Sequence, residues 1–104
     1  MTKRKTRTDR NHAIYVISNS VTNEYYIGVT VCAGNVKKAL KVRIQKHVRR
    51  AVTENKDWAL CKSIREHGSA AFTYGLMEIV RGKVDAHTRE RELTAIHMPQ
   101  LNTL

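Results

Sequence analysis

β-Branched and aromatic residues cluster in three short stretches of the chain. Residues 13–17 and 25–29 are two such runs, separated by a turn-rich segment, which predicts an antiparallel hairpin. A third run over residues 72–80 predicts a further strand, although Gly75 weakens the pattern there. These runs together predict a small antiparallel sheet.

Apolar residues recur at three- and four-residue spacing between residues 36 and 52, which predicts an amphipathic helix. Asn35 is suited to cap its first turn, and the pattern extends to about residue 55. Two further helices are predicted over residues 57–67 and 85–97. The order ββααβα predicts an α+β domain in which helices cover the sheet.

The length of 104 residues allows one compact domain. No apolar run approaches the ~18 residues that span a bilayer, and the first residues lack the apolar core of a signal peptide. We therefore expect a cytoplasmic protein, in a bacterial or phage-infected host cell, that is not secreted and has no membrane partner. Cys32 and Cys61 lack a second cysteine at zinc-site spacing and are expected to be reduced and structural.

The positive charge is concentrated in two parts of the chain. Lysine and arginine number 19 against 9 acidic residues, for a net charge of +10. Residues 1–12 carry five bases and one acid, and residues 37–56 carry eight bases and one acid. This distribution favours a nucleic-acid partner over a membrane, because the basic helix lacks the stripe of Trp, Phe and Leu residues that membrane-surface helices bury in lipid. We expect residues 1–12 to form a flexible basic arm and residues 13–104 to form the domain.

Five polar residues are candidates for chemistry. Tyr15 and Tyr26 lie on the paired strands, where the hairpin can bring both phenols to one face. Arg43 and His47 are four residues apart on the border of the apolar helix stripe, and Glu92 lies on the last helix. Each alone has an ordinary structural explanation. Together they provide an oxygen ligand for a divalent ion, a base for water and a fixed cation, which phosphodiester hydrolysis requires.

These residues resemble the motifs of the GIY-YIG nucleases. Residues 13–15 read Ala-Ile-Tyr where the family has Gly-Ile-Tyr, and residues 26–28 read Tyr-Ile-Gly after ten intervening residues. The resemblance covers residues 12–104, and its further positions, in family order, are Arg43, His47, residues 63–68, Glu92 and Asn102.

The resemblance implies a metal-dependent DNA endonuclease with a three-stranded antiparallel sheet flanked by helices. It implies that either Tyr15 or Tyr26 is the general base and that the other holds the phosphate. It further implies that Arg43 stabilises the transition state and that His47 assists proton transfer or contacts phosphate. Glu92 is implied to bind the metal, one Mg²⁺ or Mn²⁺ ion per site.

The same resemblance implies that Asn102 braces the site and that Gly28 is a close-approach position beneath it. The expected partner is double-stranded DNA, and a homodimer would supply two active sites if both strands are cut. The basic residues expected to contact DNA are Arg4, Lys5, Arg7, Arg10, Lys38, Lys46, Arg49 and Arg50. The alternatives are a basic DNA-binding module without catalysis and a subunit of a larger repair or recombination nuclease.

Overall fold

The sheet has three antiparallel strands, with β1 at its centre and the order β2-β1-β3. The structure, a computed structural model, describes residues 10–32, 34–54 and 58–102. Its elements are β1 (Asn11–Asn19), β2 (Tyr25–Val31), α1 (Val36–Arg49), α2 (Ala59–His67), β3 (Phe72–Arg81) and α3 (Lys83–His97). The predicted α+β class and the order ββααβα are confirmed.

The ends of two elements differ from the sequence-based expectation. β1 begins at Asn11, because buried His12 belongs to the strand and its Nδ1 donates a hydrogen bond to the Arg10 carbonyl oxygen over 2.8 Å. The regular part of α1 ends at Arg49, and the chain continues in a π-helical turn over Arg50–Glu54. The expected DNA contacts Arg4, Lys5 and Arg7 lie outside the described residues.

Helices cover both faces of the sheet. On one face, Tyr15 and Ile17 of β1 belong to a buried cluster that includes residues of α1 and α2. On the other face, Ile14 and Ile27 pack with Leu93 of α3. Since successive side chains of a strand point to opposite faces, a central strand covered on both sides is buried almost throughout.

Two expectations from composition can be compared with the described residues. Cys32 and Cys61 are both buried in the core cluster between the sheet and the first two helices, in agreement with a structural role. Within the described part of the chain, no helix combines the length and apolar character needed to cross a membrane.

Candidate active site

Strand pairing brings the two motif tyrosines together. Tyr15 pairs with Gly28 and Ile17 pairs with Tyr26, so both phenol rings lie on the face covered by α1 and α2. The centroids of the two rings are 6.1 Å apart. A Cβ atom built on Gly28 would lie 2.6 Å from the Tyr15 hydroxyl oxygen and 2.7 Å from a ring carbon of Tyr26. Gly28 therefore provides the space that both rings occupy.

The Tyr15 hydroxyl lies between two side chains of α1. Arg43 Nε donates a hydrogen bond to the Tyr15 oxygen over 3.2 Å, and that oxygen is 2.9 Å from Nε2 of His47. A guanidinium can only donate, so the Tyr15 oxygen accepts from Arg43. The direction of the second bond is set by the His47 tautomer: Tyr15 donates to Nε2 when the imidazole proton is on Nδ1, and Nε2 donates to Tyr15 when the proton is on Nε2.

The electrostatics of the site set the protonation states of these groups. Burial, followed by the charges of Arg43 and Arg50, lowers the pKa of His47 to about 4. Burial also raises the pKa of Tyr15, an effect that Arg43 opposes. Burial and the neighbouring Tyr15 raise the pKa of Tyr26. At neutral pH both phenols are therefore protonated and the His47 imidazole is neutral.

His47 makes the stability of the fold sensitive to acid. The pKa of His47 in the folded state, about 4, is below the ordinary value of 6.5. The neutral imidazole therefore makes its full contribution to the free energy of unfolding above pH 6.5, and that contribution is lost as the pH falls toward 4. Between pH 7 and 4, the free energy of unfolding should fall by up to about 3 kcal/mol more in the wild type than in His47→Gln. The glutamine keeps a polar partner for Tyr15 but does not titrate. Urea unfolding at several pH values measures the difference, and equal pH dependence of the two proteins would contradict it.

The network forms one wall of a pocket of about 430 Å³. Its lining comes from β2, α1, the π-helical turn, α2, α3 and the segment after α3, and consists of Tyr26, Arg43, His47, Arg50, Trp58, Leu60, Glu90, Leu101 and Asn102. The Arg50 guanidinium lies over the Trp58 ring, 5.7 Å from its centroid, in cation–π geometry. Trp58 is not one of the motif residues identified in the sequence.

The carboxylate that lines this pocket belongs to Glu90. Glu92, the metal ligand expected from the sequence, is not among the residues that line it. Glu92 is 55% exposed, and its Oε2 accepts a hydrogen bond from Nη1 of Arg89 over 3.1 Å. Arg89 in turn binds Glu78 of β3 over 2.8 Å. Two residues along an α-helix are rotated by about 200°, so Glu90 and Glu92 cannot share one side of α3.

The sequence contains a pattern that places Glu90 on the buried side of α3. Buried Ala86 and Leu93 are seven residues apart on α3, and Glu90 falls between them at the i+4 position of the same stripe. Near Glu90, only His87 forms a further ion-pair contact among the described residues, with its Nδ1 3.6 Å from Glu90 Oε2. Glu90 is thus a carboxylate on the buried side of its helix, directed to a pocket that also contains two arginines.

The chemistry of the donor set fits a hard, hydrated cation. Among the described residues, no group of three or more His, Cys, Asp or Glu side chains could enclose a metal. A single carboxylate suits Mg²⁺ or Mn²⁺, because Mg²⁺ typically keeps several waters and is held by one or two carboxylates together with substrate phosphate. Glu90 is the residue that would hold such an ion.

Asn102 attaches the C-terminal segment to the edge of β2. Its Nδ2 donates to the Ile27 carbonyl oxygen and its Oδ1 accepts from the Ile27 amide, each over 2.9 Å. The next contact along the edge is the Leu101 amide, which donates to the Tyr25 carbonyl oxygen over 3.0 Å. Because its amide is engaged by the backbone, Asn102 is held in place at the pocket wall. The bracing role that the resemblance implies for it stays a prediction.

The other expected DNA contacts lie in three places. Arg50 lines the pocket, while Lys38 and Lys46 line a neighbouring groove along α1. Arg49 is exposed at the end of α1, and Arg10 is exposed just before β1.

Comparison with protein-family models, with curated proteins and with solved structures gives no match for this chain. The resemblance to the GIY-YIG nucleases therefore depends on its motif residues alone.

Proposed function

We propose that the chain is a metal-dependent endonuclease that hydrolyses phosphodiester bonds in double-stranded DNA, as its resemblance to the GIY-YIG nucleases implies. The observation that carries this proposal is the convergence of Tyr26, Arg43, His47 and Glu90 in one pocket, from three separate elements. These side chains are of the types that phosphodiester hydrolysis needs, and the excess of positive charge favours a polyanionic substrate.

Arg43 is the proposed stabiliser of the developing charge on the phosphate. Its Nε is engaged by Tyr15, which fixes the plane of the guanidinium and leaves the Nη groups to grip two phosphate oxygens. A planar fork held in this way costs little reorganisation when the substrate binds.

The two tyrosines have different positions and hence different proposed roles. Tyr26 lines the pocket, whereas Tyr15 has no exposed surface and holds Arg43 and His47. Tyr26 is therefore proposed to orient the attacking water, and Tyr15 is a positioning residue. The proposed contact with the reacting atoms thus belongs to the tyrosine of the Tyr-Ile-Gly motif at residues 26–28.

His47 is the proposed proton acceptor, in the tautomer whose Nε2–H donates to the Tyr15 oxygen and whose Nδ1 carries no proton. Two of the causes that lower its pKa are the charges of Arg43 and Arg50, and a bound phosphate would offset both. Its proton affinity should therefore rise when substrate occupies the pocket. Glu90 would hold the divalent ion, which supplies Lewis-acid polarisation of the phosphate and offsets its negative charge.

A purified preparation of the chain should convert supercoiled plasmid to nicked or linear product in the presence of Mg²⁺ or Mn²⁺, and EDTA should stop the reaction. Agarose gels measure the conversion. A matched preparation of Glu90→Gln shows whether the activity belongs to this chain.

DNA binding without cleavage in any metal would instead support a binding module or a subunit that needs a partner. A pure binder has no need of Glu90, because a carboxylate in a basic pocket weakens phosphate binding.

A further inference from the structure

A groove of about 510 Å³ runs along α1 beside the candidate active site. Its charged lining residues are Lys38, Arg43 and Lys46, and no acidic side chain is among the described residues that line it. Arg43 also lines the active-site pocket, so the groove begins where the phosphate to be cut would lie. The groove therefore adjoins the candidate site directly and has only positive charge.

We propose that this groove holds the sugar-phosphate backbone of the cleaved DNA strand on one side of the scissile bond, an inference that rests on the proposed function. Lys38 and Lys46 are eight residues apart on α1, which corresponds to about 12 Å along the helix axis. The axial rise of one DNA strand is about 3.4 Å per nucleotide, so the two lysines cover three to four nucleotides. Backbone contacts of this kind position the duplex without reading its sequence.

A second groove beside the pocket has a different charge, which makes the arrangement directional. This groove of about 590 Å³ shares Glu90 and Asn102 with the active site and is lined further by Arg91, Thr94, Ala95, Met98 and Pro99. Its charged lining residues are one base and one acid, which balance, whereas three bases line the α1 groove, so phosphates are attracted to the α1 groove. The backbone contacts are thus concentrated on the α1 side of the cut.

The helix itself contains a matched control. Lys37 and Lys41 are exposed lysines of α1, like Lys38 and Lys46, but they are not part of the groove lining. At about 100° per residue, the mean direction of this pair differs by about 120° from that of Lys38 and Lys46. The double variants Lys38→Ala/Lys46→Ala and Lys37→Ala/Lys41→Ala remove the same charge from the same element, so a difference between them reports the position of the lysines alone.

Binding is measured by fluorescence anisotropy with a short labelled DNA duplex, in EDTA, at a series of salt concentrations. For Lys38→Ala/Lys46→Ala, two lost phosphate contacts should reduce the slope of log K against log salt by about 1.8 and weaken binding by about tenfold at low salt. Lys37→Ala/Lys41→Ala should keep the wild-type slope. Circular dichroism establishes that all the proteins are folded.

Equal losses in the two double variants would overturn the proposal, since overall charge would then explain binding. So would a wild-type slope in Lys38→Ala/Lys46→Ala, or the absence of DNA binding by the wild type. Because the measurement needs neither metal nor cleavage, its outcome is independent of the plasmid assay. A chain that binds DNA through the groove but never cuts it would contradict the proposed function and would still support the role of the groove in DNA binding.

Discussion

Glu90→Gln is expected to reduce the metal-dependent cleavage rate by about 10³-fold or more, while Glu92→Gln keeps the wild-type rate. Removing one preorganised electrostatic group from an active site commonly costs 10²–10³-fold, and Glu90 would also hold the ion. Glutamine preserves the size of the side chain but has no negative charge with which to hold the cation. Single-turnover cleavage of a labelled duplex measures the rate over a range of Mg²⁺ concentrations.

The comparison of the two glutamates contains its own control. Both substitutions remove one negative charge from α3, and each removes a carboxylate contact with a neighbouring side chain, His87 for Glu90 and Arg89 for Glu92. Exposed pairs of this type contribute about 0–1 kcal/mol, so thermal unfolding should show both variants folded. Retained activity in Glu90→Gln, or loss of activity in Glu92→Gln alone, would show that the wrong carboxylate was assigned to the metal.

The tyrosines and the two glutamates also show which parts of the candidate site could be predicted from the sequence and which could not. The tyrosines could be placed on one face because the period of a strand is two, and a hairpin then brings Tyr15 and Tyr26 together. On a helix the same offset of two residues rotates a side chain by about 200°. Glu92, which was matched by its place in the motif order, therefore lies outside the buried stripe of Ala86 and Leu93, whereas Glu90 lies within it.

The remainder of the site depends on packing that no local pattern contains. Arg50 lies in a π-helical turn that a regular helical pattern does not predict, and its contact with Trp58 joins residues on either side of a segment outside the described residues. Asn102 reaches the site only because its amide pairs with the backbone of Ile27, 75 residues earlier in the chain. The neutral state of His47 likewise follows from burial under the helices, which the sequence could indicate only as a histidine on the border of an apolar stripe.

Arg43→Ala is expected to lower the rate of cleavage by about 10³-fold, because arginines that stabilise transferring phosphoryl groups are worth roughly 10³–10⁵-fold. Arg43→Lys should recover only a small part of that loss. Lysine keeps the positive charge but lacks the planar fork, and it has no Nε to donate to the Tyr15 hydroxyl. Single-turnover rates at saturating DNA separate this effect from weaker binding. Lys41→Ala removes an exposed charge of the same helix and serves as the control.

The position of Arg43 against His47 gives this substitution a second readout that does not depend on catalysis. The charge of Arg43 is the second largest cause of the lowered pKa of His47, after burial. Arg43→Ala should therefore raise the pKa of His47, which an NMR titration of the imidazole measures, whereas Arg43→Lys should leave it closer to the wild-type value. A slow Arg43→Ala variant with an unchanged His47 pKa would mean that the arginine does not lie against the histidine in solution. A fully active Arg43→Lys variant would mean that charge alone, without the bidentate geometry held by Tyr15, accounts for the chemistry.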